Sequence, residues 1–332
     1  MEEIDFVLIW VDGNDKKWQE EKNKYDTNVI DNSNNICRYR DWEQLKYWFR
    51  GVEKFAPWVR KVHFITEGHL PKWLNKDCPK LNIIKHSDYI PSQYLPTFSS
   101  HTIELNFDKI KELSEKFVYF NDDMFLCDNV KKTDFFINGL PRDNAICNII
   151  TPDGTNDLIK HILVNNIDLI NRNFDKKKVI NQNFTKWFSV KNGKMNVKNL
   201  LLYIWPRFSM LQEFHIPNAY MKSTLNEVWK KEYKIINETC LNKFRKSTDV
   251  NQWIFRYWQL MKGEFVPRNY KFSAYFDITN DTVNEICDTI EKQKKKIICI
   301  NDSDEKVDFN FAKNKINTSF EKILSQKSQF EK

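Results

Sequence analysis

The sequence predicts an α/β protein with a mostly parallel sheet and crossover helices. Three observations predict it. Five short apolar runs of β-branched and aromatic residues recur along the chain. Helix-period stretches lie between them. Three of the five runs end in Asp, at the carboxyl end of a strand, where parallel α/β sheets bind their ligands.

The elements follow in order. IDFVLIWV (Ile4 to Val11) is the first run and leads into Asp12-Gly13. WEQLKYWFRGVEKF places Leu45, Trp48, Phe49, Val52 and Phe55 at helical spacing, with Asp41 and Gln44 set as a capping box. KVHFIT (Lys61 to Thr66) and LNIIKH (Leu81 to His86) are the next two strands. Ser99 and Ser100 precede a helix expected from His101 to about Glu115. KFVYF (Lys116 to Phe120) then runs into Asn121-Asp122-Asp123. These residues form the first part of a catalytic core, 1–150. Residues 151–202 are rich in Asn and Lys and read as a mainly helical insertion. Residues 203–311 complete the core. They hold His215-Ile216-Pro217, which predicts a helix soon after, and a helix capped by Asp249 and Gln252 and ended by Gly263, with Trp253, Tyr257, Trp258 and Met261 on its buried face. KKIICI (Lys295 to Ile300) is the last strand, followed by Asn301-Asp302. The polar, Lys-rich stretch 312–332 reads as a frayed tail, with contact to anionic lipid as the alternative.

Composition narrows the class. Hydrophobic content of 41%, with 11 Trp and 25 Phe, excludes a disordered chain. A net charge of +7 over 332 residues is modest; it suits an anionic small molecule or an acidic membrane face. No RNP-like motif, Cys/His finger or long basic arm is present, so no nucleic-acid partner is expected. With seven glycines the chain has neither GxGxxG nor a Walker A loop, so a phosphorylated ligand calls for metal-bound carboxylates and Arg. The seven Cys are scattered, odd in number and without a CxxC pair, which reads as a reducing compartment. The N-terminus carries acids where a signal peptide carries bases, and no stretch nears the roughly 20 apolar residues of a membrane span. A cytoplasmic location is expected.

Chemistry concentrates at a few places. Adjacent carboxylates at the tip of an apolar strand repel each other unless exposed or given a cation, and Asp122 with Asp123 fits a Mg²⁺ site for a diphosphate. Singly, Asp12 and Asp302 read as turn residues. Arg38 and Arg40 precede a helix start and read either as an anion site or as solvated loop arginines. His215 has the right chemistry for a general base, or alternatively for a covalent phosphohistidine, although a lone His is often structural; His63, His69, His86 and His161 read as structural. Arg245 sits just ahead of a helix, as a phosphate ligand or as a surface residue of a basic loop.

These residues fall in blocks that resemble the Stealth family of capsular polysaccharide phosphotransferases, which includes the catalytic part of the animal lysosomal-enzyme N-acetylglucosamine-1-phosphotransferase. The blocks are IDFVLIWVDGNDKKW; RYRDWEQLKYWFRGVEKFAPWVRKVHFITEGHLPKWLN continuing through LPTFSSHTIE to YFNDDMFL; HIPNAYMKSTLNEV; and CINDSDE. They span Ile4 to Glu305. The third is the looser match, with Ala219 where the family pattern often has a second proline. The resemblance implies a Rossmann-like core with insertions and a divalent metal, Mg²⁺ or Mn²⁺. It implies transfer of a hexose- or N-acetylhexosamine-1-phosphate from a nucleotide-sugar donor to an oligosaccharide or lipid-linked saccharide acceptor, with release of a nucleoside monophosphate. It places Asp12, Asn121, Asp122, Asp123, His215, Arg245 and Asp302 at positions that carry catalysis, Asp302 also as a metal ligand, and His101 and Glu104 in a binding segment. A metal-dependent glycosyltransferase releasing a nucleoside diphosphate and a non-catalytic carbohydrate-binding protein are the rival readings. The Lys, Asn and Ile load fits an AT-rich bacterial genome.

Overall fold

Ile4, Phe6 and Leu8 face one core and Val7 faces another, and all four are buried. A strand apolar on both sides belongs in the middle of a parallel sheet covered on both faces. A computed structural model, which describes residues 3–25, 41–152, 157–302 and 307–332, places it there.

The first half supplies β1 (Ile4–Ile9), α1 (Lys16–Tyr25), α2 (Leu45–Phe55), β2 (Val62–Thr66), β3 (Leu81–Lys85), α3 (Ser100–Leu105), β4 (Lys116–Phe120) and β5 (Met124–Leu126). A short region follows with α4 (Lys132–Phe135), β6 (Phe136–Ile137), β7 (Leu140–Asp143) and β8 (Cys147–Asn148). Helices α5 (Asp157–Asn173), α6 (Lys176–Gln182), α7 (Phe184–Trp187) and α8 (Asn196–Tyr203) come next. The chain then returns through β9 (Met210–Leu211), β10 (Asn218–Met221), α9 (Lys222–Lys231), α10 (Tyr233–Leu241) and α11 (Trp253–Lys262). It finishes with β11 (Val266–Pro267), β12 (Ser273–Asp277), α12 (Val283–Glu291), β13 (Ile297–Asn301) and α13 (Phe309–Ile323).

The main sheet has the order β10-β4-β1-β2-β3. Its inner pairings, β4 with β1, β1 with β2 and β2 with β3, are parallel; β10 joins β4 antiparallel. Helices α2, α12 and α13 contribute to the core on one face, and α3, α5, α9, α10 and α11 to the core on the other.

Several expectations need correction. The Lys295–Ile300 run forms β13, which leaves the main sheet and pairs parallel with β12 and antiparallel with β5 in a separate three-stranded sheet. Helix α2 starts at Leu45, because Glu43 takes φ 54° and Asp41 closes a local turn by accepting from the Glu43 N–H at 2.7 Å. The helix after Ser99 stops at Leu105, where the Asn106 side chain donates to the Thr102 carbonyl. The helix expected soon after Pro217 is preceded by edge strand β10. Asp249 does not cap α11; it accepts from the Lys246 N–H and the Asn242 amide. Gly263 does end α11, at φ 70°.

The stretch 312–332 is not a frayed tail. Ala312, Ile316, Phe320, Leu324 and Phe330 are buried in the first core. Arg50 pairs with Glu331 at 2.8 Å, and the Lys332 N–H donates to the Trp73 carbonyl. Its apolar face is spent on the protein itself, so the lipid-contact reading of this stretch falls too. The six described cysteines are free and buried. Among the described residues, no helix is long and apolar enough to cross a membrane.

Candidate active site

The Asn121-Asp122-Asp123 turn is the hinge between the two sheets. Strand β4 in the main sheet ends at Phe120 and β5 in the second begins at Met124. The Met124 N–H donates to the Asn121 carbonyl and the Ile300 N–H to the Asp123 carbonyl, so the turn is held from both sides. β13 runs antiparallel to β5, which brings its Asp302 end back to this edge.

Asp122 lines an open cleft of about 950 Å³. Trp10, Trp18, Phe98 and Phe244 form its apolar walls, and Arg245 and Ser100 its polar ones. Phe98 stacks on Phe244 with centroids 5.3 Å apart, and Trp18 meets Phe98 edge-on at 5.9 Å. The low-polarity surroundings, and then the neighbouring Asp123, push the Asp122 carboxyl up to about 7. Its side chain is open to the cleft, so water offsets part of that rise. Asp123 turns inward. Burial lifts it to about 6, against the Cys299 thiol, which donates to its Oδ2 at 3.4 Å. Its Oδ1 is buried with no hydrogen-bond partner among the described residues.

Arg245 reaches the cleft through a short bond, its Nη2 donating to Ser100 Oγ at 2.6 Å. Behind them lies Glu104, buried and pushed up to about 7 by that burial, against the pull of the Arg245 charge. The Tyr119 hydroxyl contacts Glu104 Oε1 at 2.8 Å and Asn121 Oδ1 at 2.5 Å. His101 is 2% exposed, with Nδ1 3.2 Å from Asp249 Oδ2. The sequence reading placed His101 and Glu104 in contact with substrate. Both are buried in the structure: His101 contacts Asp249 on the segment that carries Arg245, and Glu104 is linked to Asn121 through the Tyr119 hydroxyl.

Asn121, one residue before Asp122, faces a second cleft of about 410 Å³ that also holds Asp143, Glu213, His215, Trp253 and Arg256. His215 takes φ 45°, a left-handed conformation unusual for a residue with a Cβ. Its ring lies 5.0 Å from Tyr275 and 6.1 Å from Trp253 and opens to solvent on its remaining side. Surrounding protein lowers its pKa against the opposing charge of Asp277, which favours the neutral imidazole. Arg256 donates to both Asp143 oxygens, at 2.7 and 2.9 Å, and to Glu213 at 2.9 Å. Burial raises Glu213 to about 7, with Arg256 opposing. Sequence reasoning missed Asp143, Glu213, Arg256 and Tyr119. An arginine in the apolar register of α11, three residues past Trp253, is the one signal that could have found the first three.

Asp12 and Asp302 reach this edge by other contacts. The Asp12 N–H donates to His69 Nε2 at 2.9 Å, and its Oδ1 accepts from the Asn14 N–H. Asp302 Oδ2 accepts from the Trp42 indole at 3.1 Å. Arg38 and Arg40 lie outside the described residues. Among the described residues, no three His, Cys, Asp or Glu side chains gather closely enough to hold a metal by themselves. An ion shared by Asp122, Asp123 and Asp302 would therefore draw further ligands from phosphate and water. The Asp122–Asp123 pair, with its unsatisfied Oδ1, still fits an ion that takes one or two carboxylates and completes its shell with phosphate and water.

Comparison with known proteins identifies the family. Residues 2–29 match the Stealth protein conserved region 1 and residues 38–143 the Stealth protein conserved region 2. The chain is 46% identical to a capsular polysaccharide phosphotransferase WcwK of Streptococcus pneumoniae, over 100% of this chain and 99% of that one. It is 40% identical to the exopolysaccharide phosphotransferase cps2G of Lactiplantibacillus plantarum, over 99% and 96%. It is 38% identical to the receptor polysaccharide phosphotransferase WefC of Streptococcus gordonii, over 100% and 99%. The apo glycosyltransferase GlyE of Streptococcus pneumoniae TIGR4 aligns with a TM-score of 0.22 at 9% identity, over 90% of this chain and 74% of that one, too low to bear on the fold.

Proposed function

The chain belongs to the Stealth family of polysaccharide phosphotransferases, and on that premise we propose that it moves a sugar-1-phosphate from a nucleotide sugar to a saccharide hydroxyl. The observation that carries this reading is the pair of clefts meeting at one turn, with Asp122 in one and Asn121 in the other.

The aromatic cleft takes the donor. Trp and Phe walls suit a nucleobase, and Arg245 stands where it donates to phosphoryl oxygens. Asp122 and Asp123 would hold a Mg²⁺ or Mn²⁺ ion, which when bound would supply charge neutralisation for the diphosphate. The polar cleft takes the acceptor, with Asp143, Glu213 and Gln252 as partners for sugar hydroxyls. His215, neutral at pH 7, accepts the proton of the attacking hydroxyl. The acceptor oxygen bonds to the phosphorus next to the sugar. The bond from that phosphorus to the bridging oxygen breaks, and a nucleoside monophosphate leaves. Arg245 stabilises the charge that gathers on the phosphoryl oxygens. The role for this product is capsule or surface polysaccharide synthesis, carried out at the cytoplasmic side.

The test uses purified chain, Mg²⁺, a panel of nucleotide sugars and an acceptor oligosaccharide extract, with the released nucleotide identified by mass. Nucleoside monophosphate, abolished by EDTA and by Asp122→Asn, is the expected outcome. Nucleoside diphosphate overturns the reading in favour of glycosyl transfer, and turnover in EDTA overturns the metal assignment.

A further inference from the structure

Helix α8 is built inside out. Its single buried side chain is Asn199, which accepts from the Cys147 N–H at 2.6 Å and donates to the Ala145 and Trp187 carbonyls. Leu202 and Tyr203 pack partly against the core, but the other apolar residues face away. Val197, Leu200, Leu201, Ile204 and Trp205, spaced along the helix and its last turn, are between 57% and 77% exposed, and Val190 just before it is 91% exposed. A soluble helix normally shows the reverse pattern, and a contiguous exposed apolar patch marks an interaction surface.

The charge around the patch identifies the partner. From Lys176 to Gln212 the chain carries eight Lys or Arg and no Asp or Glu. Lys177, Lys178, Lys191, Lys194 and Arg207 are exposed. A second copy docking through this face would bring like charges together. An anionic bilayer surface satisfies both features, taking the apolar side chains into the acyl boundary and the cations at the headgroups, with Trp205 at the interface. We propose that α8 and the segment leading into it are a membrane-docking element for anionic lipid. Strand β9 continues from this element and leads within four residues to His215. Docking would therefore hold the acceptor side of the site near the bilayer, although the docking itself needs no transfer reaction and is measured without one.

The test is cosedimentation of the full-length chain with phosphatidylcholine vesicles, with and without phosphatidylglycerol. The expected result is pelleting with the anionic vesicles that weakens as salt rises. Leu200→Ser, Leu201→Ser, Ile204→Ser and Trp205→Ser in combination should reduce it on the order of tenfold or more, while nucleotide release with a soluble acceptor is unchanged. Should that variant not fold, brominated-lipid quenching replaces it: wild type should lose more fluorescence than Trp205→Phe. Protein that stays in the supernatant, pelleting that the folded variant retains, or equal quenching of both proteins overturns the proposal. So does a dimer that the same substitutions dissociate, which would make a second copy the occupant.

Discussion

His215 holds its ring between Tyr275 and Trp253 at a positive φ, a conformation that costs on the order of 1–3 kcal/mol unless its surroundings enforce it. Enforcement beside the proposed site is what a general base needs. His215→Ala should lower the rate of nucleotide release ~10²–10⁴-fold, with the melting temperature kept, as an initial-rate assay beside a thermal melt would show. A variant within a few-fold of wild type would remove His215 from the chemistry. Asp5 shows a different use of charge. Fully buried in β1, it would be raised by that burial, but hydrogen bonds from His63, Arg60 and the Ser114 N–H outweigh it and lower the carboxyl to about 2. The folded pKa lies below the unfolded value of 3.8, so the stabilisation is present above pH 4 and is lost as pH falls toward 2. It amounts to about 2 kcal/mol at neutral pH. Urea titrations of wild type and Asp5→Asn should diverge above pH 4 and draw together towards pH 2; parallel curves would refute the assignment.

At the scale of elements, the local signals that survive into the fold are those with one dominant cause. Gly263 was legible as a helix end because α11 needs a left-handed residue there, and a Cβ would meet the Asn183 side chain at 2.1 Å. Gly263→Ala should therefore cost roughly 1–3 kcal/mol, read as a lower denaturant midpoint at unchanged slope. The four parallel strands were legible for a similar reason: continuous β-branched and aromatic runs bounded by turns admit few alternatives. Strands β5, β10 and β12 were not. MFL is three residues long, and NAYM carries no alternation a strand would require. Their pairing is decided by neighbours far away in sequence, Ile297 to Cys299 for β5 and Lys116 to Tyr119 for β10. The capping boxes at Asp41 and Asp249 failed because a carboxylate in a turn has several N–H groups to choose from, and tertiary contacts choose for it. The clefts were half legible. Aspartates at strand ends pointed to the edge where β13 returns beside β5, but Asp143, Glu213 and Arg256 meet only after the chain returns through α11.

The whole molecule is closed by its last residues. Arg50 sits in α2 with its guanidinium buried, donating to Glu331, to Glu321 and to the Leu324 carbonyl. Glu331 is the partner that matters most. Burial would raise its carboxyl, yet the Arg50 hydrogen bonds carry it below the ordinary range. Phe330 packs on Phe49 at 5.1 Å, and the Asn75 N–H donates to the Phe330 carbonyl, so the terminus ties α2 to the loop after β2. Helix α2 in turn packs on β5, directly after the Asp122–Asp123 turn, with the Gly51 position in contact with the Leu126 carbonyl. Loosening the terminus should therefore be felt at the site. Removing one partner of a buried ion pair strands the other, at a cost of about 3–5 kcal/mol. Deleting residues 324–332 should destabilise by at least that much and lower donor turnover together with stability. Glu331→Gln, which keeps the hydrogen-bond shape and loses the charge, should fall between the two. Denaturant unfolding and nucleotide release measured on both variants decide it. A truncated chain as stable as wild type would return 324–332 to the status of a dispensable tail.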